Sequence, residues 1–279
     1  MLSLVSNKPQ AVYPEIKNIL FATDFSQCSA GALECLHALA ELDGATIHVV
    51  HVVSPRPGEA ASAPGQLPSH TVHADVPVFL QKHPVGDTPF DVWTAHGPIA
   101  ETLVKLARSE HMDLIALGTH GHQPEAPGLG LVAGKILSAA PCPVFTVGAS
   151  AKAQGGERLE RILYATDFSP ASLRALPYAV SLATKNGSQL LMVYVDTPEF
   201  SADWLMEALY EGQMLNLLPF DPGLCGVEPI VAIGPVAKGI LDTAAEHDAD
   251  LIVMGFPLEA PKYIGEIHAR APCPVLSVR

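Results

Sequence analysis

The chain is one unit written twice, and that repeat limits its folds more than any other feature. "KNILFATDFS", starting at Lys17, returns as "ERILYATDFS" at Glu160, an offset of 143 residues that also relates Gly44 to Gly187 and Pro55 to Pro198. "HGPIAETLVKLARSEHMDLIALG" from His96 returns as "IGPVAKGILDTAAEHDADLIVMG" from Ile233, now at 137. "APCPV" at Ala140 recurs at Ala271, at 131. Long-range self-similarity means a structural unit built more than once, and 279 residues suit about two domains. The expected units are 1–149 and 158–279, joined by "ASAKAQGGER", a small, polar, glycine-bearing linker.

Each copy reads as alternating strands and helices. Ile19 to Thr23 and Ile162 to Thr166 are short apolar runs, expected as buried strands. Ser26 and Ser169 suit helix caps, and Pro170 suits a first helical position. Second strands are expected at Thr46 to Val53 and Gln189 to Val195, and third strands at Phe90 to Thr94 and Pro229 to Ile233. Gly97-Pro98 and Gly234-Pro235 then open helices with apolar faces at Ile99, Leu103 and Leu106 and at Val236, Ile240 and Ala244. Strands at Leu114 and Leu251 follow, and "CPVFTV" and "CPVLSV" close each copy. This alternation predicts an α/β fold with a parallel sheet covered on both faces.

The copies differ after the second strand. Residues 54–89 are rich in proline and small polar residues, which predicts a long loop with little helix. The second copy has "FSADWLMEALYEGQMLNLL", whose apolar residues Trp204, Leu205, Leu209, Met214 and Leu217 predict an amphipathic helix for core or interface packing.

Composition narrows the function classes. A net charge of −13 disfavours nucleic-acid and membrane surfaces, which need basic patches. No apolar run approaches the ~20 residues of a membrane span, and "MLSLVSNKPQAVYPE" lacks the basic start and apolar core of a signal peptide. Five cysteines without a CxxC fit reduced thiols and a cytoplasmic location. Cys28 lies two residues past Ser26, where a helix start would favour its thiolate.

In open parallel sheets, ligands sit beyond the carboxyl ends of the strands. The polar groups there are Asp24 and Asp167, with Gly118 and Gly255. Asp24 either bonds a sugar hydroxyl or helps hold a phosphate-bound metal, or it caps the following helix, and the residues alone leave both readings open. "LGTHGHQPEAPGLGLVAG" (117–134) reads as strand, glycine loop, helix, in which Gly118 and Gly121 free backbone amides for an oxyanion and the helix start adds its positive end.

"ATDFS" and "LGTHG" in one unit, with "VVHVV" at the second strand and "APCPV" before the last, resemble the universal stress protein family, in a tandem two-domain form. The resemblance implies two doubly wound domains of the adenine nucleotide α-hydrolase-like type, each with five parallel strands, paired through their last strands as an intramolecular domain pair. It implies ATP, AMP or ADP as ligand, with or without Mg²⁺, and action in stress response through unknown protein partners or a homodimer. Asp24 and Ala22 would lie at the nucleotide and Val52 would meet the adenine. Gly118, His120, Gly121 and Gly130 would surround the phosphates, and Leu117, Leu131 and Val132 would also lie at the nucleotide. The ATP-binding members carry G-x2-G-x9-G-[S/T]. Here eight residues separate Gly121 from Gly130, and Leu131 stands where a hydroxyl residue belongs. Pro124 and Pro127 have no N–H to donate, and Glu125 adds negative charge. The second copy keeps Asp167, Val195 and Gly255, but its phosphate loop is six residues shorter.

No G-x-S-x-G elbow or Walker A motif is present, so at most slow ATP hydrolysis is expected and no catalytic residue is assigned. No metal site is expected, and the His120-x-His122 and His70-x2-His73 pairs read as loop or core histidines. His48 and His51 differ in strand parity and should face opposite ways. The competing functional reading is an interaction module that no longer binds nucleotide, with degenerate sites.

Overall fold

The computed structural model describes residues 13–54, 73–122, 128–151, 159–197, 204–218, 226–257 and 262–279. In the first copy the elements are β1 (Asn18–Ala22), α1 (Gln27–Asp43), β2 (Thr46–Val53), α2 (Asp75–Lys82), β3 (Phe90–His96), α3 (Ile99–Ser109), β4 (Leu114–Gly118), α4 (Leu131–Ala139) and β5 (Val144–Val147). The second has β6 (Arg161–Thr166), α5 (Pro170–Asn186), β7 (Gln189–Asp196), α6 (Trp204–Asn216), β8 (Val227–Ile233), α7 (Val236–Glu246), β9 (Leu251–Gly255), α8 (Lys262–Arg270) and β10 (Val275–Val278).

The ten strands form one sheet in the order β3-β2-β1-β4-β5-β10-β9-β6-β7-β8. Each half is parallel and doubly wound, with chain order reversing between β1 and β4 and between β6 and β9. The halves meet at an antiparallel ladder, where Val275 pairs with Thr146 and Ser277 with Val144. Val144 to Val147 and Val275 to Val278 thus pair with each other within the chain, as the family resemblance implies, and neither is left as an edge. The edges belong to β3 and β8, and Pro229 inside β8 removes one donor from that edge.

Two cores cover the sheet. One gathers apolar residues of α1, α2, α5 and α6, including Leu33, Phe79, Ala179 and Met214. The other gathers α3, α4, α7 and α8, including Leu103, Ile136, Ile240 and Ile267. Both cross the seam between copies, so the two units share their apolar interior. Helix starts follow the sequence reading: Ser26 Oγ accepts the Ser29 amide at 3.2 Å and Ser169 Oγ the Ser172 amide at 3.3 Å. Gly44 and Gly187 close α1 and α5 in the left-handed region. A further repeated aspartate anchors each first strand: Asp113 Oδ2 accepts the Lys17 and Asn18 amides, and Asp250 Oδ2 those of Glu160 and Arg161.

Two elements depart from expectation. Within 54–89 the chain forms α2, whose Val76 and Phe79 are buried. Pro77 is tolerated because it lies in the first turn, where no helical partner awaits its missing N–H. In α6 the anticipated apolar stripe splits: Met214 is buried, but Leu209 is 49% exposed.

Candidate functional site

At the end of β1 the motif Thr23-Asp24-Phe25-Ser26 folds on itself. Phe25 donates its amide to Thr23 Oγ1 at 3.0 Å, and Ser26 donates its amide to Asp24 Oδ1 at 3.1 Å. The second copy repeats both bonds at Phe168 and Ser169. Phe25 and Phe168 accordingly sit at φ 64° and 60°, a region bulky residues seldom adopt. Each ring finds an aromatic bed: Phe25 lies 4.5 Å from His51 and 5.8 Å from His73, and Phe168 lies 5.3 Å from Tyr194. His48 faces the other side, against Asp91 and Trp93, as strand parity predicts. One Asp24 oxygen is thus committed to the helix-start turn. The other points at the glycine loop, with His122 Nδ1 at 3.4 Å.

The glycines of that loop serve packing as well as openness. A Cβ at Gly118 would fall 2.7 Å from the Cys28 backbone, and one at Gly255 2.3 Å from that of Ala171. These two glycines therefore let α1 and α5 lie directly on their strands. Gly121 is left-handed, and its Cβ position is 2.7 Å from Asp24 Oδ2. At Gly130 a Cβ would meet the Thr119 carbonyl at 2.3 Å.

An amide inventory decides what the loop offers an anion. Thr119 donates to the Val147 carbonyl at 3.0 Å, and Gly130 donates to the Thr119 carbonyl at 3.1 Å. The His120 amide is spent on Cys28. The Thr119, His120 and Gly130 amides are therefore committed within the chain. Among the described residues, the Gly121 and His122 amides have no partner, nor do the Leu131, Val132 and Ala133 amides in the first turn of α4, which Gly130 starts without a side-chain cap. Pro124, Glu125 and Pro127 lie outside the described residues.

Ala22, Val52 and Leu117 stand on neighbouring strands at the same end of the sheet, with Ala22 paired to Val50 and to Leu117. Their counterparts in the second copy line a cavity of about 150 Å³ bounded by Ala165, Asp167, Val195, Met254, Gly255 and Tyr263. Burial raises the Asp167 carboxyl pKa, but hydrogen bonds from Ser169 and Ser172 outweigh it and hold the group below its ordinary value. Burial and the nearby Asp167 charge push the Tyr263 phenol upward. Sequence reasoning missed Tyr263. The APCPV offset of 131 carries it onto Val132, which was the available signal.

The thiols are corrected too. Burial raises the Cys28 pKa, the Asp24 charge adds to it, and the His120 amide offsets only part. The helix start does not produce a thiolate there. Among the described residues, no three or more His, Cys, Asp or Glu side chains gather as a metal site, and no helix is long and apolar enough to cross a membrane.

The sequence profile of the universal stress protein family matches residues 15–148 and again 158–258. The chain belongs to the universal stress protein family. It is similar to universal stress protein A homolog 1 of Coxiella burnetii, at 31% identity over 137 residues, 47% of this chain and 95% of that protein. Over nearly full length it shares its fold with a universal stress protein from Archaeoglobus fulgidus, at a TM-score of 0.75, 21% identity, and 96% and 97% coverage of the two chains. A functionally unknown protein from Pseudomonas aeruginosa PAO1 also superposes, with a TM-score of 0.65, 18% identity, and 94% and 92% coverage.

Proposed function

We propose that this universal stress protein binds an adenine nucleotide in its first copy, without strong catalysis, and that occupancy alters its association with partners in the stress response. The carrying observation is the set of unpartnered amides at Gly121, His122 and the uncapped first turn of α4. Backbone donors at a helix start suit phosphate without any side-chain cation. Ala22, Val52 and Leu117 would meet the base, and Val132, the counterpart of Tyr263, would close over it. A bound Mg²⁺ would supply the positive charge that lets phosphates approach Asp24, which would be its protein ligand beside the phosphate oxygens. The second copy lacks the loop and would hold at most the nucleoside end, in the cavity beside Asp167 and Tyr263.

Equilibrium dialysis with labelled ATP tests the reading on wild type and Gly121→Val. The valine meets both a left-handed backbone and Asp24. Uptake by wild type that is lost in the variant is expected. No uptake by wild type, or equal uptake by both, removes the claim for this loop.

One observation favours the reading as a nucleotide-free interaction module: Leu131, in place of the family's hydroxyl residue, is 87% exposed. Native mass spectrometry of the purified protein separates the two, since a co-purifying nucleotide argues against the second.

A further inference from the structure

A cavity of about 510 Å³ lies on the α1 side of the sheet, walled by the first half of α1, the end of β5 and the start of the loop after β4, with His83 at its edge. Small-molecule sites run from roughly 300 to 1,000 Å³, so the space suffices for a ligand group. It is separate from the base end of the candidate site. Ala22, Val52 and Leu117 do not line it, and they pack in the core of α3 and α4, whereas Ala30 and Val147 pack in the core of α1. The loop joins the two. Gly121 and His122, whose amides are unpartnered among the described residues, line the cavity. Asp24, two residues past Ala22, reaches the same loop, with Oδ2 3.4 Å from His122 Nδ1.

Small residues that the second copy lacks make this space. The 143-residue offset places Leu173, Arg174 and Tyr178 where Ala30, Gly31 and Cys35 stand. Gly31 is the most informative of them. It lies inside α1, where a glycine costs about 1 kcal/mol relative to alanine. A Cβ there would meet nothing within 4 Å, so no neighbour requires the glycine. What a side chain would take up is the cavity that Gly31 lines. The copy that keeps the phosphate loop is therefore also the copy with small residues beyond it.

The walls set the chemistry of the occupant. No lysine or arginine lines the cavity, but Gln27 and Glu34 do, and Glu34 Oε1 is 3.0 Å from His83 Nδ1. The carboxylate repels a further phosphate. Carboxylate and amide oxygens accept hydroxyl donors. Such walls fit an uncharged, polyhydroxylated group.

We propose that the first copy binds a nucleotide conjugate, an adenosine diphosphate whose terminal phosphate carries a sugar, with the sugar in the α1-side cavity beside Gln27 and Glu34. The nucleoside stays over Ala22, Val52 and Leu117, and the two phosphates cross the strand ends at the Gly121 and His122 amides. This names the ligand class of the nucleotide site and rests on that reading.

Calorimetric titration with ADP and with ADP-ribose tests it on wild type, Gly31→Leu and Gln27→Leu. Leucine is a good helix former and at position 31 projects into open space, and a melting curve checks that each variant folds. Wild type should bind ADP-ribose at least about tenfold more tightly than ADP. Gly31→Leu fills the cavity, so the two ligands should bind it alike. Gln27→Leu removes a hydroxyl acceptor and should narrow the preference. A wild type that binds both ligands equally, or variants that keep the full preference, would overturn the conjugate proposal and leave the nucleotide reading standing. A wild type that binds neither removes both.

Discussion

His268 lies at the seam between the copies, and replacing it with glutamine probes the seam's response to acid. The ring is fully buried: Nδ1 is 2.6 Å from Thr146 Oγ1 on β5, and Nε2 is 2.9 Å from Ser277 Oγ on β10. Burial lowers its pKa to about 3, so the folded protein holds it neutral. The unfolded chain protonates it near the ordinary value of about 6.5. A folded pKa below the unfolded one gives stability that is complete above about pH 6.5 and lost as pH falls toward the folded value. Between pH 7 and pH 5 the unfolded state gains this proton and the native state does not, which costs roughly 2 kcal/mol. Glutamine can still bond both hydroxyls and does not titrate. The assay is urea unfolding of both proteins at the two pH values. Wild type should lose about 2 kcal/mol more than His268→Gln over that interval, with carboxylate effects common to both cancelling. Equal pH dependence would mean that the ring takes up its proton while folded, and the argument from burial would fail.

Two further outcomes follow from packing and burial. Gly255→Ala should destabilise the second copy by about 1–3 kcal/mol in thermal or urea unfolding, because the new methyl meets the rigid backbone of Ala171 and Ser172; an unchanged midpoint would mean that α5 shifts freely. The thiols of Cys35 and Cys142, pushed by burial to about 11 and about 12, should resist a thiolate-selective reagent at neutral pH until denaturant is added, as should the still more buried Cys273, and fast native labelling at any of the three would contradict the burial.

Much of the topology was legible because the repeat and its alternation of strands and helices are local signals. The 143-residue offset, the Ser26 and Ser169 caps, and the apolar faces from Ile99 and Val236 each depend on neighbours within a few turns. What escaped depends on distant partners. Nothing near Gly118 says that the Cys28 backbone will press on it, so a packing glycine resembled a phosphate glycine. Val76 and Phe79 hid their helix among prolines. The pairing of the seam strands was legible only through the family resemblance, because their partners lie about 130 positions away in the chain. In the candidate site, Asp24 and the loop could be named from sequence, but which amides remain unspent is a property of the folded backbone.

The antiparallel ladder between β5 and β10 carries a consequence for synthesis. The first copy emerges from the ribosome with β5 exposed, and its proper neighbour is made about 130 residues later. Until then the strand can pair with the same strand of another nascent chain. Spacing between ribosomes on one message, and chaperone cover over that interval, would set how often two chains become joined at birth.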